Sequence, residues 1–268
     1  MDIATIIGLL IGFAAVIVGF LLEGGQTSAL FSLTALIIVL GGTIGATAVS
    51  FNLKDIKKFP VLLAIAFKNQ TYDKERLIDR IVDIAVKARR ESLLSLEDSL
   101  EEIDGNFLRK GLQLIIDRID TTTLRDVLEN DLYYMEERHR VGISLFDTAG
   151  GYSPTMGIIG TVVGLINVLG HMSSPDTIAP AIAVAFIATL YGIAFANLFW
   201  LPIASKLKAK NNDEVLYRSL IIEGLLAIQK RENPNFIKEK LQSFLEQKDR
   251  STERVVTKVK DKDQDEVA

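Results

Sequence analysis

The sequence predicts an all-α integral membrane protein with four transmembrane helices and a helical cytoplasmic domain, because long uncharged apolar stretches alternate with densely charged ones. Hydrophobic residues make up 49% of the chain and the mean hydropathy is +0.26, while 24% of the residues are charged. One soluble core of this length would not bury so much apolar surface. Apolar and charged residues must therefore lie in separate segments.

The N-terminal segment, residues 1–50, is predicted to form a transmembrane hairpin. Residues 3–22 and 29–50 carry no charged side chain, and a helix needs about 20 apolar residues to cross the hydrocarbon core. Only Met1 and Asp2 precede the first stretch, whereas a cleaved signal peptide begins with a basic region. The first stretch is therefore predicted to be retained as a membrane helix.

A second transmembrane hairpin is predicted in residues 151–205. Its two apolar stretches cover residues 153–172 and 178–203, and Asp176 is the one charged residue in the turn between them. Within the hydrocarbon core a backbone must satisfy its own hydrogen bonds. Because neither stretch shows strand alternation, both are predicted to be helices.

The charged insert, residues 51–150, is predicted to be a mainly helical cytoplasmic domain. Apolar residues recur at helical spacing over 73–89, and a long amphipathic run over 121–145 is expected to continue directly into the third span. Ser95, which is followed by two acidic residues, is predicted to cap a short helix that ends near Gly105.

The C-terminal segment is predicted to be cytoplasmic as well. Two helices are expected at 212–230 and 234–247, within a segment that covers residues 206–248. From residue 249 to residue 268 the charge density predicts a disordered tail.

The basic residues predict how the chain crosses the membrane. None of the 30 lysines and arginines lies in residues 1–50 or 141–205, whereas 16 lie in 51–140 and 14 in 206–268. Basic loops stay on the cytoplasmic side. Both charged regions, and with them both termini, are therefore predicted to be cytoplasmic.

Several function classes are excluded or disfavoured. The chain has no cysteine, which excludes disulfides and thiolate metal sites, and its lysines and arginines are interleaved with acids rather than clustered as nucleic-acid binding requires. The spans contain no paired aspartates and no hydrolase or metalloprotease motif, and the two histidines, His139 and His171, lie outside their central parts. The chain is predicted not to be an enzyme and to need no cofactor.

Small residues with one hydroxyl line one face of each helix in the second hairpin. Thr161 shares its face with Gly157 and Gly164, and Thr189 shares its face with small residues at Ala185, Gly192 and Ala196. Such a face suits close helix packing or a narrow ion path. The spans carry no aspartate, glutamate, lysine or arginine, so an ion path would need a carboxylate from another chain. Alternatively, each threonine simply bonds the carbonyl one turn back.

The second hairpin and the insert resemble a known family. Residues 154–166 read PTMGIIGTVVGLI, and residues 88–97 read ARRESLLSLE. These stretches, residues 182–202 and the arrangement of two helices, a large insert, two helices and a tail resemble MotA and its sodium-driven relatives. The resemblance covers residues 1–245. The glycine-threonine-glycine segment alone is shared with ExbB and TolQ.

The resemblance implies a function and partners. Five MotA subunits would surround a dimer of MotB, a single-span protein that binds peptidoglycan and supplies the ion-binding aspartate, in the bacterial inner membrane. Arg89 and Glu97 match charged residues that meet the rotor protein FliG, with Arg90, Glu101 and Glu102 as auxiliaries. Without the family these would be ordinary solvated charges.

The resemblance also bears on two prolines and on the ion. Pro154 and Pro202 match prolines at the cytoplasmic ends of the third and fourth spans, where each would serve as a hinge or would cap a helix end. Threonines at both matching positions are a feature of sodium-type stators, which favours Na⁺ over H⁺ as the ion at Thr161 and Thr189. An ExbB-like or TolQ-like energiser of outer-membrane transport and a non-conducting membrane scaffold remain the alternatives.

Overall fold

A computed structural model of the chain describes residues 2–69, 71–100, 103, 105–170 and 175–247, with the backbone alone for residues 98, 99 and 175–177. Every regular element in these residues is helical, which confirms the predicted fold class. The chain forms two compact units, here called the membrane unit (Met1–Gln70 and Glu136–Asn212) and the peripheral unit (Thr71–Met135 and Asp213–Ala268). The predicted disordered tail, residues 249–268, lies outside the described residues.

The first two of four helices that are long and apolar enough to cross a membrane lie near the N-terminus. Helix α1, Ile3–Leu22, has the predicted bounds and is capped by the Asp2 carboxylate, which accepts a hydrogen bond from Thr5. The second candidate span, Thr27–Ser50, covers the predicted residues 29–50 and opens with a 3-10 turn. Its continuous helix begins after Ser32, which caps the first turn. It consists of α2 (Leu33–Leu36), a π-helical turn (Ile37–Gly41) and α3 (Gly42–Ser50).

Two short helices of the insert, α4 (Leu53–Ile56) and α5 (Phe59–Phe67), belong to the membrane unit. The ring of Phe59 stacks on Phe146 with 5.1 Å between centroids, and both rings lie within 6.3 Å of the Trp200 ring. Aromatic burial therefore joins residues 51–69 and 136–150 to the membrane-spanning helices. The compact units thus differ from the domain boundaries at 51 and 150 that charge alone indicates.

The peripheral unit begins with α6 (Lys74–Arg90), a 3-10 segment (Leu94–Ser99) and α7 (Asn106–Ile116). Asp73 caps α6 by accepting a hydrogen bond from Arg76 N at 2.9 Å. The prediction that Ser95 caps a helix is wrong. Ser95 lies within the 3-10 segment Leu94–Ser99, which has no side-chain cap, and its hydroxyl donates to the Ser92 carbonyl at 2.7 Å.

Two long helical stretches follow. Helix α8, Thr121–Gly170, runs without interruption through the third span, as the amphipathic run predicts. Helix α9 (Pro175–Phe195), a π-helical turn (Ala196–Trp200) and α10 (Leu201–Gln229) form the fourth span and continue beyond it. The helix expected at 212–230 is therefore not separate, because no glycine or proline lies between Pro202 and Gly224 to end α10.

Helix α11, Pro234–Gln242, packs on α6 in the peripheral unit. The core of this unit is fully apolar at its centre, where the described side chains without solvent exposure are those of Ile81, Leu112, Leu124, Leu128, Leu220, Leu225, Ala227, Ile237 and Leu241. Helix α7, which the sequence analysis did not single out, contributes Leu112 to this core. The unit therefore has a hydrophobic core of its own.

Candidate functional site

Helices α8 and α9 approach each other closely along a face of small residues. A Cβ added at Gly157 would lie 3.0 Å from the Ala188 carbonyl oxygen, and one added at Gly192 would lie 2.7 Å from the Ser153 carbonyl oxygen. One added at Gly164 would lie 2.7 Å from Cβ of Ala185. Backbone therefore packs directly on backbone here, which small residues alone permit.

The two predicted ion-path threonines meet at this contact. The hydroxyl oxygens of Thr161 and Thr189 are hydrogen-bonded to each other, and both side chains are half-buried. The Thr161 hydroxyl also lies 3.0 Å from the Ala185 carbonyl oxygen and 3.2 Å from the Gly157 carbonyl oxygen, one turn back. The local bond that threonine usually makes in a helix and a bond across the two helices are thus both within its reach.

This group of oxygens is suited to hold a cation. Two hydroxyls and the Ala185 carbonyl present lone pairs at one place, and oxygen is the ligand that hard cations prefer. The four predicted spans contain no aspartate, glutamate, lysine or arginine, so the group carries no net charge of its own. Among the described residues, no three histidine or acidic side chains gather as a metal site.

Ser153 and Tyr191 form hydrogen bonds that join the helices near the two threonines. Neither residue was predicted from the sequence. The buried Ser153 hydroxyl donates to the Gly192 carbonyl at 2.9 Å, which ties α8 to α9. The Tyr191 hydroxyl donates to the Leu30 carbonyl at 2.6 Å and accepts from Ser32 N at 3.3 Å. A hydroxyl in an apolar span needs a hydrogen-bond partner, so the presence of these two residues in apolar stretches was the sequence feature that could have identified them.

The two predicted hinge prolines both lie inside continuous helices. Pro154 is in the interior of α8, and Pro202 follows the π-helical turn, in which Leu201 N donates to the Ala196 carbonyl, five residues back. A proline removes a backbone donor, and a π-helical turn is one way in which a helix accommodates the defect. The alternative that these prolines cap helix ends is therefore wrong, and the hinge remains a prediction.

The predicted rotor-facing charges lie in the peripheral unit. Arg89 and Arg90 are exposed in the last turn of α6, and Glu97 is exposed in the 3-10 segment that follows. In the part of the chain that the structure describes, none of these three side chains forms an ion pair. Glu101 and Glu102 lie outside the described residues. Leu96, only 1% exposed, anchors the 3-10 segment to the core next to Glu97.

A charged group in this unit connects three helices. Glu223 of α10 contacts Arg125 of α8 at 3.3 Å and Lys240 of α11 at 3.0 Å. Partial burial opposes ionisation of Glu223, but the hydrogen bond from Lys240 and the charges of Lys240 and Arg125 outweigh it and lower the pKa of the carboxyl. The carboxylate therefore stabilises the packing of these helices.

Comparison with known proteins agrees with these features. The family model "MotA/TolQ/ExbB proton channel family" matches residues 99–220, and the model "Motility protein A N-terminal" matches residues 6–92. Motility protein A of Bacillus subtilis is 41% identical over 93% of each chain. Chemotaxis protein PomA of Vibrio alginolyticus is 38% identical over 94% of this chain and 99% of its own.

Solved structures give the same result. The structure of C. jejuni MotAB matches with a TM-score of 0.88 and 30% identity, over 93% of this chain and 98% of that one. The structure of the flagellar MotAB stator complex from Bacillus subtilis matches with a TM-score of 0.86 and 40% identity, over 92% and 98%. The N-terminal hairpin and the insert are included in these matches, and the chain therefore belongs to the motility protein A (MotA/PomA) family of flagellar stator subunits.

Proposed function

We propose that this stator subunit, an integral protein of the inner membrane, carries Na⁺ along the face of α8 and α9 that holds Thr161 and Thr189. The observation that supports this most directly is the group of oxygens formed by the two hydroxyls and the Ala185 carbonyl. A proton needs only a carboxylate and a chain of water, whereas a sodium ion must replace its hydration with several oxygen ligands.

The charge that balances the ion is proposed to come from a partner. The predicted spans of this chain have no acidic residue, and the solved relatives are MotAB complexes. A MotB-type subunit with one membrane helix would supply the carboxylate next to the threonines. Five copies of this chain around a MotB dimer is the assembly that the family resemblance supports.

The proposed output is torque on a rotor. Arg89, Arg90 and Glu97 are exposed at the end of α6 and in the following segment, so they are available to complementary charges on FliG. Glu101 and Glu102 are proposed as auxiliaries from the sequence. Pro154 and Pro202 are proposed as the hinges at which the two spans bend during each ion transfer, because both lie inside long helices next to the α8–α9 contact.

The stator function is favoured over the other two candidates. The motility protein A N-terminal model matches residues 6–92, which cover most of the first hairpin and all of α6. The ExbB-like and TolQ-like alternative does not require this region. A non-conducting scaffold would have no use for paired hydroxyls at this close helix contact, where alanines would pack equally well.

The choice of ion is tested by motor rotation. Cells that depend on this subunit are tethered, and external sodium is replaced by potassium at constant pH and constant proton gradient. We expect rotation to stop and to return when sodium is restored. Rotation that continues without sodium would identify the proton as the ion, and would leave the stator assignment intact.

A further inference from the structure

A groove in the membrane unit runs between the start of α1 and the region where the fourth span passes into α10. Its volume is about 590 Å³, and its walls include Ala4 and Gly8 on one side and Leu198, Pro202 and Lys206 on the other. Most of the lining is apolar and Pro202 is exposed. In a membrane protein such a surface faces lipid rather than water.

Basic side chains gather at one end of this groove. Lys206 forms an ion pair with Asp2, and Lys210, one turn further along α10, donates to the carbonyls of Ile65, at 2.5 Å, and of Lys68. Burial is the largest cause that lowers the pKa of the Lys210 ammonium group, and the nearby charges of Lys206 and Lys68 lower it further. Among the described residues, these three lysines form one ion pair, that of Lys206 with Asp2.

The lysine cluster (Lys68, Lys206 and Lys210) therefore keeps an excess of positive charge beside an apolar groove. Asp2 is held in position by two hydrogen bonds: its N–H donates to the Phe67 carbonyl at 2.8 Å, and its carboxylate caps α1. Basic pockets between membrane helices on the cytoplasmic side bind the headgroups of anionic lipids, while the acyl chains follow the apolar surface between the helices. The predicted topology places the cluster at the cytoplasmic leaflet.

We propose that the groove between α1 and α10 binds an anionic phospholipid, with its phosphate at the lysine cluster and an acyl chain along Gly8 and Leu198. The absence of a side chain at Gly8 leaves room for the chain, since an added Cβ there would meet no atom within 4 Å. The lipid would hold the first span to the fourth, next to Pro202. The site lies apart from Thr161 and Thr189 and does not depend on which ion is carried.

The test is a lipid titration of the purified full-length chain in complex with its MotB-type partner. Phosphatidylglycerol or phosphatidylcholine is added, and bound lipid is counted by native mass spectrometry. We expect tighter binding of phosphatidylglycerol. We expect Gly8→Leu to weaken this binding at least about fivefold, because the leucine side chain would overfill the space that the acyl chain takes, and overpacking costs about 1 kcal/mol or more. Gly19→Leu is the matched control: Gly19 also lies on α1, and an added Cβ there also meets no atom within 4 Å, but it does not line the groove.

A second variant, Asp2→Asn, should raise the affinity for phosphatidylglycerol rather than lower it. Asp2→Asn keeps a good helix cap but frees Lys206, so phosphatidylglycerol should bind about fivefold more tightly, the effect of one added lysine at an anionic surface. A role for Asp2 in structure alone would give equal or weaker lipid binding. Equal affinity for the two lipids, an unchanged affinity in Gly8→Leu, or an altered number of subunits in Gly8→Leu with lipid binding retained would each overturn the proposal.

Discussion

The hydroxyl groups of Thr161 and Thr189 are hydrogen-bonded to each other across the contact between α8 and α9. The two are not equivalent. Thr161 also has the carbonyls of Ala185 and Gly157 within reach, whereas the hydrogen bond to Thr161 is the contact that places the Thr189 hydroxyl. The lone pairs of Thr189 can therefore turn towards an ion more freely.

This difference predicts an order of effects. Thr189→Ala should lower the ion current and rotation at least about tenfold, the size expected when one hydrogen bond or ligand to a charge is lost. Thr161→Ala should lower them less. Thr155→Ala is the control, because its hydroxyl donates to the Tyr152 carbonyl within the same helix. Normal swimming with both Thr161 and Thr189 replaced would remove these hydroxyls from the ion path.

The glycine contact predicts a second loss of function with a separate cause. An added Cβ at Gly192 would lie 2.7 Å from the Ser153 carbonyl oxygen and 2.8 Å from Gly157 Cα, and neither backbone group can move aside. We expect Gly192→Ala to separate α8 from α9 and to destabilise the hairpin by about 1–3 kcal/mol, as overpacking does. Thermal unfolding of the purified complex and rotation would measure the two effects.

Gly151→Ala provides the comparison for this change. Gly151 is also on α8, and an added Cβ there meets no atom within 4 Å. It should be neutral or slightly stabilising, since alanine is the better helix former. If both variants rotate normally, the close contact at Gly192 is not required for the ion path.

The spans and their helical state could be predicted from hydropathy, because backbone in lipid has few alternatives to helix. The bounds of α1 follow directly from the uncharged run, and Asp2 marks its start. The predicted second span, residues 29–50, lies within the candidate span Thr27–Ser50, but its continuous helix starts only at Leu33, because Ser32 caps it. Hydropathy measures burial in lipid but does not detect a capping bond.

The site was predictable in part. The positions of Thr161 and Thr189 on small faces indicated which surfaces meet, but not that the two hydroxyls would touch. Ser153 and Tyr191 were overlooked because their importance depends on acceptors far away in the chain, the carbonyls of Gly192 and Leu30. The compact units divide the chain after residues 70 and 135 rather than at 51 and 150, because Phe59 meets Phe146 and Trp200 only in the folded chain.

The distribution of basic residues predicts the topology, and the chain has no cysteine to interfere with labelling. A cysteine at Gly25, between the first two spans, should react with a membrane-impermeant thiol reagent in intact cells. A cysteine at Lys68 should react only after the membrane is opened, because both charged regions are predicted to be cytoplasmic. Labelling of the Lys68 variant in intact cells would contradict the four-helix topology.

The exposed charges at the end of α6 predict a defect in torque without a defect in conduction. Arg89→Glu and Glu97→Lys should each reduce motility while the ion current stays normal, because both side chains are exposed and lie in the peripheral unit. A charge reversal on FliG should partly restore motility to its matching variant. Loss of the protein from the membrane would instead mean that these residues are structural, and full motility would mean that they do not meet the rotor.

The contacts of Glu223 predict how the peripheral unit responds to acid. Because Lys240 and Arg125 lower the pKa of Glu223 in the folded chain, the unfolded chain binds its proton more readily. The stabilisation is therefore complete above the ordinary pKa of 4.5 and is lost as the pH falls through the lower, folded value. Glu223→Gln should reduce the free energy of unfolding by about 1–2 kcal/mol at neutral pH, which is at the low end of the range for hydrogen bonds to charged groups because the side chain is 26% exposed. In strong acid the difference from the unmodified chain should disappear, because Glu223 is then also uncharged in the unmodified chain.

Glu239→Gln, an exposed position on α11, should show no such difference at any pH. Thermal unfolding of the purified complex across this pH range measures both variants, and a Glu223→Gln defect that stays constant into strong acid would show that packing, rather than charge, is the contribution of this side chain.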